Sequence, residues 1–262
     1  MFKIEAVNIL FMNCIAMNTM DESFDIYSTA NGLIQVSNPV RRQILSQLST
    51  SDLSLTDISN ITGKAQSTLS VHLDKMASEG LVMFRDDPAD SRRKIFSLSS
   101  KLMARSRDVN QEGIEVYKKT LESVLEQDSN FFKVVLRAII IGAEASGLCI
   151  GAAMRHVGMS IGEILAKNIT SPKVEDIISQ LQEFYEKHDM GEVCVYTFMP
   201  LTIIVRDTYE VTACAAESLS MFSQGLFITV LAELTKKRYR IASSECFGAS
   251  NNYSKFVIEQ VI

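Results

Sequence analysis

Two glycines and two prolines punctuate residues 38–99 so closely that few local architectures fit. Pro39 follows Asn38, a proline suited to a first helical turn behind a good capping side chain. Val40, Ile44, Leu45 and Leu48 then recur at helical spacing. A second short helix is expected over residues 55–61, capped by Ser54 or Thr56, with Leu55, Ile58 and Ile61 on one side. Gly63 supplies the left-handed residue that a helix C-terminus favours. The third helix, residues 65–78, carries Leu69, Leu73 and Met76 as an apolar stripe, and Gly80 ends it. Residues 81–85 and 94–98 read as paired strands, with Arg92 and Arg93 near the tip between them.

Three short helices followed by a basic ribbon describe a winged helix-turn-helix. Opposite the apolar stripe, the third helix presents Gln66, Ser67, Thr68, Ser70, Val71 and Lys75, short or flexible groups that reach base edges and phosphates. The pattern implies that Gln66, Ser67, Thr68, Ser70 and Val71 face bases, while Lys64, Lys75, Arg92, Arg93 and Lys94 face phosphates of double-stranded DNA. A plain packed three-helix subdomain is the competing reading. Helix order, turn glycine, polar face and basic wing together favour DNA. The Ser67-Thr68-Leu69-Ser70-Val71-His72-Leu73 run resembles ArsR-type regulators, and Asp87-Pro88-Ala89-Asp90-Ser91-Arg92-Arg93 is similar to a MarR-type wing. The ArsR metal sensors carry cysteines in the helix before the recognition helix. Here that helix reads Leu55-Thr56-Asp57-Ile58-Ser59, so the resemblance implies no metal at that place.

A chain of 262 residues suits one large or two ordinary domains. The expected division is an N-terminal extension (1–30), the winged helix-turn-helix (31–105), a linker or dimerisation helix (106–128) and a sensor domain (129–262). Charge follows that division. Residues 31–105 hold ten Lys/Arg against seven Asp/Glu, and residues 106–262 hold fifteen against twenty. A slightly basic part joined to an acidic one fits a regulator whose second half never touches phosphate. Cys14, Cys149, Cys194, Cys214 and Cys246 are scattered and odd in number, unlike a secreted disulfide framework. Residues 1–20 are apolar but have only Lys3 as a basic flank, a poor signal peptide, and Met17 and Met20 leave a later start open. Arg137 and Glu144 interrupt the apolar run at 134–151, which therefore reads as a buried helix or strand and not as a membrane span. A cytoplasmic protein with no membrane partner is expected.

In the second half, Val116, Leu121, Val124 and Leu125 make a partial stripe, compatible with a helix between domains or a packing helix. Helices are expected at 154–167, at 175–187 and at 217–234. Strands are expected at 192–198, 201–207, 237–244 and 253–260. The whole is α+β: an N-terminal winged helix-turn-helix followed by mixed helices and an antiparallel sheet. This order resembles the 4-vinyl-reductase-type domain. The resemblance rests on Gly158-Met159-Ser160-Ile161-Gly162, on Cys214 before Ser223-Gln224-Gly225-Leu226, on residues 239–246 ending in Cys246, on Gly248 and on Phe256-Val257-Ile258-Glu259. The family often has a further cysteine where this chain has Ser254.

A winged helix joined to such a module is similar to the methanogen redox-responsive regulators of the MsvR type. That resemblance implies a homodimer sensing thiol oxidation through Cys194, Cys214 and Cys246. Two other signals stay open. A zinc site from His188, Cys194, Cys214 and Cys246 lacks ligand spacing, and a small apolar effector would draw on the thirteen Phe, the twelve Met and residues 142–153. No GxGxxG, P-loop, GxSxG or HExxH string occurs, so neither an enzyme nor a cofactor is expected.

Overall fold

The computed structural model describes residues 23–88, 90–122, 131–206, 213–247 and 253–261, without the side chains of residues 91, 92, 213, 214 and 247. Cys14, residues 123–128 and Gly248 lie outside the described residues. The chain forms two compact units, Met1–Arg107 and Asp108–Ile262.

Among the described residues, the first unit opens with a hairpin, β1 (Asp25–Thr29) and β2 (Gly32–Val36), in register from Asp25↔Val36 to Thr29↔Gly32. The turn closes at Gly32 with φ +112, where a side chain would be strained. β6 (Lys101–Ser106) pairs with the other edge of β1. This hairpin straddles the boundary that the sequence places at residue 30. Alternation explains it: Asp25 and Tyr27 point inward and are buried, with Val36 beside them. Asp25 accepts from Arg42 at 3.2 Å and lies 3.8 Å from Arg105, so its buried carboxylate is compensated by two cations. Burial and the neighbouring Asp25 push the Tyr27 hydroxyl up to about 12.

Three helices follow: α1 (Pro39–Leu48), α2 (Leu55–Thr62) and α3 (Gln66–Ser78). Ile44, Leu45 and Leu48 of α1 meet Ile58 of α2 and Leu69, Leu73 and Met76 of α3 in one buried cluster. β3 (Leu53–Ser54), β5 (Asp90–Leu98) and β4 (Val82–Asp87) form a sheet in that order, the wing being the β4–β5 hairpin.

The second unit contains α4 (Gln111–Glu122), α5 (Phe131–Ala145), β7 (Leu148–Cys149), α6 (Gly151–Ala166) and α7 (Val174–Lys187). After these come β8 (Glu192–Phe198), β9 (Leu201–Arg206), α8 (Ala213–Thr235), β10 (Arg238–Phe247) and β11 (Tyr253–Val261). The sheet runs β10-β11-β9-β8 and is antiparallel throughout. Its core joins Ile177, Leu181 and Tyr185 of α7 to Leu226, Phe227, Val230 and Leu231 of α8 and to Ile203 and Phe256 of the sheet. α8 has the length and hydropathy of a membrane span, yet these four buried residues make it a core helix. The architecture is α+β.

Glycines set the tightest crossing. A Cβ on Gly158 of α6 would collide with the carbonyl oxygen of Phe222, and one on Gly225 of α8 would collide with that of Arg155. At Gly162 it would stand 2.9 Å from the Leu226 carbonyl oxygen. The two helices therefore touch backbone to backbone. α4 packs on α5 through smaller versions of the same device, Gly113 against Ala145 and Gly142 against the Tyr117 ring. Residues 134–145 are helical, the first of the two forms the apolar run allowed.

Candidate nucleic-acid interface

The interface begins with how α2 and α3 are fixed. Ser54 caps α2 with a reciprocal box: its Oγ accepts from the Asp57 backbone N–H at 3.3 Å, and the Asp57 carboxylate accepts from the Ser54 N–H at 2.9 Å. The Ser54 hydroxyl and backbone N–H, with help from Arg93, hold the Asp57 carboxyl below its ordinary value. Gly63 caps the other end at φ +66, its N–H donating to the Ser59 carbonyl at 2.9 Å. Ser59 Oγ donates across the turn to the Lys64 carbonyl at 2.8 Å, bracing the entry into α3.

Once α3 is seated by Leu69, Leu73 and Met76, its opposite side is open. Lys64, Gln66, Ser67, Thr68 and Val71 are exposed, and Ser70 is half-buried. Val71 stands out, an apolar side chain 69% exposed in the middle of a polar face. Its methyl groups suit the C5-methyl of thymine. Ser70 Oγ donates back to the Gln66 carbonyl at 2.9 Å, which leaves its lone pairs to accept from a base. No side chain caps the first turn of α3, whose N–H groups can take a phosphate oxygen. Lys75 is exposed but sits in the last turn, 4.0 Å from Glu79, which also pairs with Arg41.

The wing is less uniformly available than its sequence suggests. Arg93 turns toward the α2 cap: it donates to Ser54 Oγ at 2.8 Å and lies 3.5 Å from Asp57 and 3.9 Å from Asp87. Arg85 pairs with Asp52 at 3.2 Å. Lys94 lies 4.2 Å above the Phe84 ring, a cation–π contact that leaves its ammonium exposed. The Arg92 side chain lies outside the described residues. The expected set thus divides. Gln66, Ser67, Thr68, Ser70 and Val71 lie on the first turns of α3 away from its buried stripe, Lys64 is exposed in the turn before it, Lys75 stands at the far end of the helix, and Arg93 ties the wing to the helix-turn-helix. The Ser54-x-x-Asp57 spacing carried the signal for that tie, an acid at the third helical position within reach of the wing.

Cys194 and Cys246, two of the three cysteines expected to sense oxidation, stand apart. Cys194 faces Ile204 on β9, Ile204 faces Lys255 on β11, and Lys255 faces Glu245, the neighbour of Cys246 on β10. Two strands thus lie between Cys194 and Cys246, about 14 Å across the sheet, well beyond the roughly 7 Å that a disulfide spans between Cα atoms. A Cys194–Cys246 bond is excluded without rearrangement of the sheet. Burial, and then the Glu192 carboxylate that accepts from it at 3.4 Å, raise the Cys194 thiol above its ordinary value. Cys246 stands opposite Ser254 and packs against a cluster containing Ala215 and Ala216. Cys214 precedes these two in α8. The His188 ring lies tilted against Phe184, centroids 4.6 Å apart, and no group of three metal-ligating residues occurs among the described residues.

Residues 38–83 match the family described as bacterial regulatory protein, arsR family. The chain thus carries the helix-turn-helix of a DNA-binding transcriptional regulator. An uncharacterized protein of Methanocaldococcus jannaschii is 26% identical over 116 residues, 43% of this chain and 49% of that protein. The chain spans about half the length of this curated relative. Two crystal structures of the adhesin competence repressor AdcR from Streptococcus pyogenes align at 15% and 17% identity. They cover 53% and 55% of this chain and 91% and 97% of theirs, with TM-scores of 0.23 and 0.24, too low to carry a fold across.

Proposed function

We propose that the protein is a cytoplasmic, sequence-specific transcriptional regulator that binds a partly palindromic operator as a homodimer and is switched through its second unit. One observation carries the DNA reading: α3 buries its apolar side completely while Gln66, Ser67, Thr68 and Val71 stay open. Gln66 and Val71 read bases, and Lys64, Arg92 and Lys94 neutralise phosphates. Selection of genomic fragments by the purified protein tests this. Gln66→Ala should then weaken the selected site by about 1–3 kcal/mol and relax preference at one position. Failure to retain any fragment specifically would overturn the reading.

The signal is thiol oxidation in a 4-vinyl-reductase-type unit, as in regulators of the MsvR type. Support comes from Cys246 packing against the cluster of Ile140, Ile141, Ala215 and Ala216, two members of which follow Cys214 in sequence. Loss of two electrons and two protons from these thiols to a peroxide or disulfide oxidant would join their sulfurs. Operator affinity measured in reduced and oxidised protein should differ, and Cys246→Ser should erase the difference. Equal affinities in both states would favour an effector ligand. One observation speaks for that second reading. The Arg155 guanidinium is largely desolvated, donates to Gln224 Oε1 at 2.9 Å, and keeps a buried Nε–H with no hydrogen-bond partner. A carboxylate-bearing effector would complete it.

A further inference from the structure

α5 is inside out. Its exposed positions are Phe131, Phe132, Leu136 and Ile139, all apolar, at 56%, 80%, 55% and 61% exposure. Its three charged residues point the other way. Lys133 is largely buried and bonds Asp189 at 2.6 Å, and Arg137 and Glu144 are buried. Glu144 accepts from the Ile150 N–H at 3.0 Å and from the Ser218 hydroxyl. A helix that buries Arg137 and Glu144, ties Lys133 to Asp189 and exposes only Phe131, Phe132, Leu136 and Ile139 is shaped for a covering surface.

We infer that this face of α5 is the homodimer interface, covered by the same face of a second copy. Three features choose that occupant. The stripe carries no exposed charge, so a two-fold axis through it brings no like charges together. Phe132, Leu136 and Ile139 stand four and three apart, a ridge that packs against its own copy in an antiparallel crossing. Taking about 200 Å² for each fully exposed side chain, the four residues offer about 500 Å² per protomer. A two-fold pair would hide about 1,000 Å² from these residues alone, the level a specific interface needs before its polar rim is counted. The inference rests on the DNA reading for one point only, that a palindromic site calls for two copies.

Sedimentation equilibrium of the full chain without DNA tests it. The native protein should be a dimer at micromolar concentration. Phe132→Glu places two carboxylates near the axis and, like Ile139→Gln, should raise the dimer dissociation constant about thirtyfold or more with unchanged circular dichroism. Leu136→Gln, closer in size to the native residue, decides the matter if glutamate disturbs folding. A monomeric native protein, or a dimer that all these variants leave intact, overturns the inference. Mobility shifts on a half-site keep the two ideas apart. A monomeric Phe132→Glu protein that still binds the half-site upholds both, and a dimer that binds no DNA strikes the DNA reading alone.

Discussion

Arg92 and Arg93 are neighbours with the same side chain, and the structure ties Arg93 to the helix-turn-helix. Arg93 is engaged by Ser54, Asp57 and Asp87, so it brings little charge to a phosphate. Replacing Arg92 with Ala should remove one phosphate contact per wing and lower the slope of log affinity against log salt by about 0.9 per wing, about 1.8 for the dimer on its operator. Between 50 and 200 mM salt, that slope change amounts to a factor of about 3.5 per wing. Replacing Arg93 with Ala should leave the slope unchanged. It removes a 2.8 Å hydrogen bond and a half-exposed ion pair, worth about 0.5–1 kcal/mol together after screening. That loss should appear as lower stability and as a uniform, salt-independent weakening of binding. Fluorescence anisotropy on a labelled operator at four salt concentrations, with urea unfolding of each variant, measures both. A slope drop of about 0.9 per wing for Arg93→Ala would refute the tether.

Two other substitutions probe the scaffold. Gly158→Ala drives a methyl group into the Phe222 carbonyl oxygen, where neither backbone can yield alone, and should cost the second unit about 3 kcal/mol in urea. Gly142→Ala meets only the edge of the Tyr117 ring at 3.0 Å and should cost less, so equal losses would contradict the backbone-to-backbone crossing. Asp57 has a depressed folded-state pKa. Its contribution is complete above the ordinary value of 3.8 and disappears as pH falls through the lower folded value. The stability advantage of the native protein over Asp57→Asn should therefore shrink only in acid below 3.8, and an advantage that stays constant there would contradict the cap assignment.

The local features were legible because their causes are local. Asn38-Pro39, Gly63 at φ +66, Gly80 at φ +73 and the spacing of Leu69, Leu73 and Met76 each act within one helical turn. The same holds for Ile177, Ile178, Leu181 and Tyr185, which line one side of α7 and are all buried. The hairpin at 25–36 was less visible, since its hydrophobic alternation is short and its second partner, β6, lies some seventy residues on.

What the chain's own order determines is therefore the helices, the turns and which side of α3 is polar, all set by periodicity and by backbone preferences of single residues. Only the tertiary fold decides that Arg93 serves Ser54 and Asp57, that two strands part Cys194 from Cys246, and that α5 turns Arg137 and Glu144 inward. A helical period reveals two faces but not which one meets the protein. On α5 that choice depends on distant partners such as Ser218, which make the buried carboxylate of Glu144 tolerable and leave the phenylalanines outside.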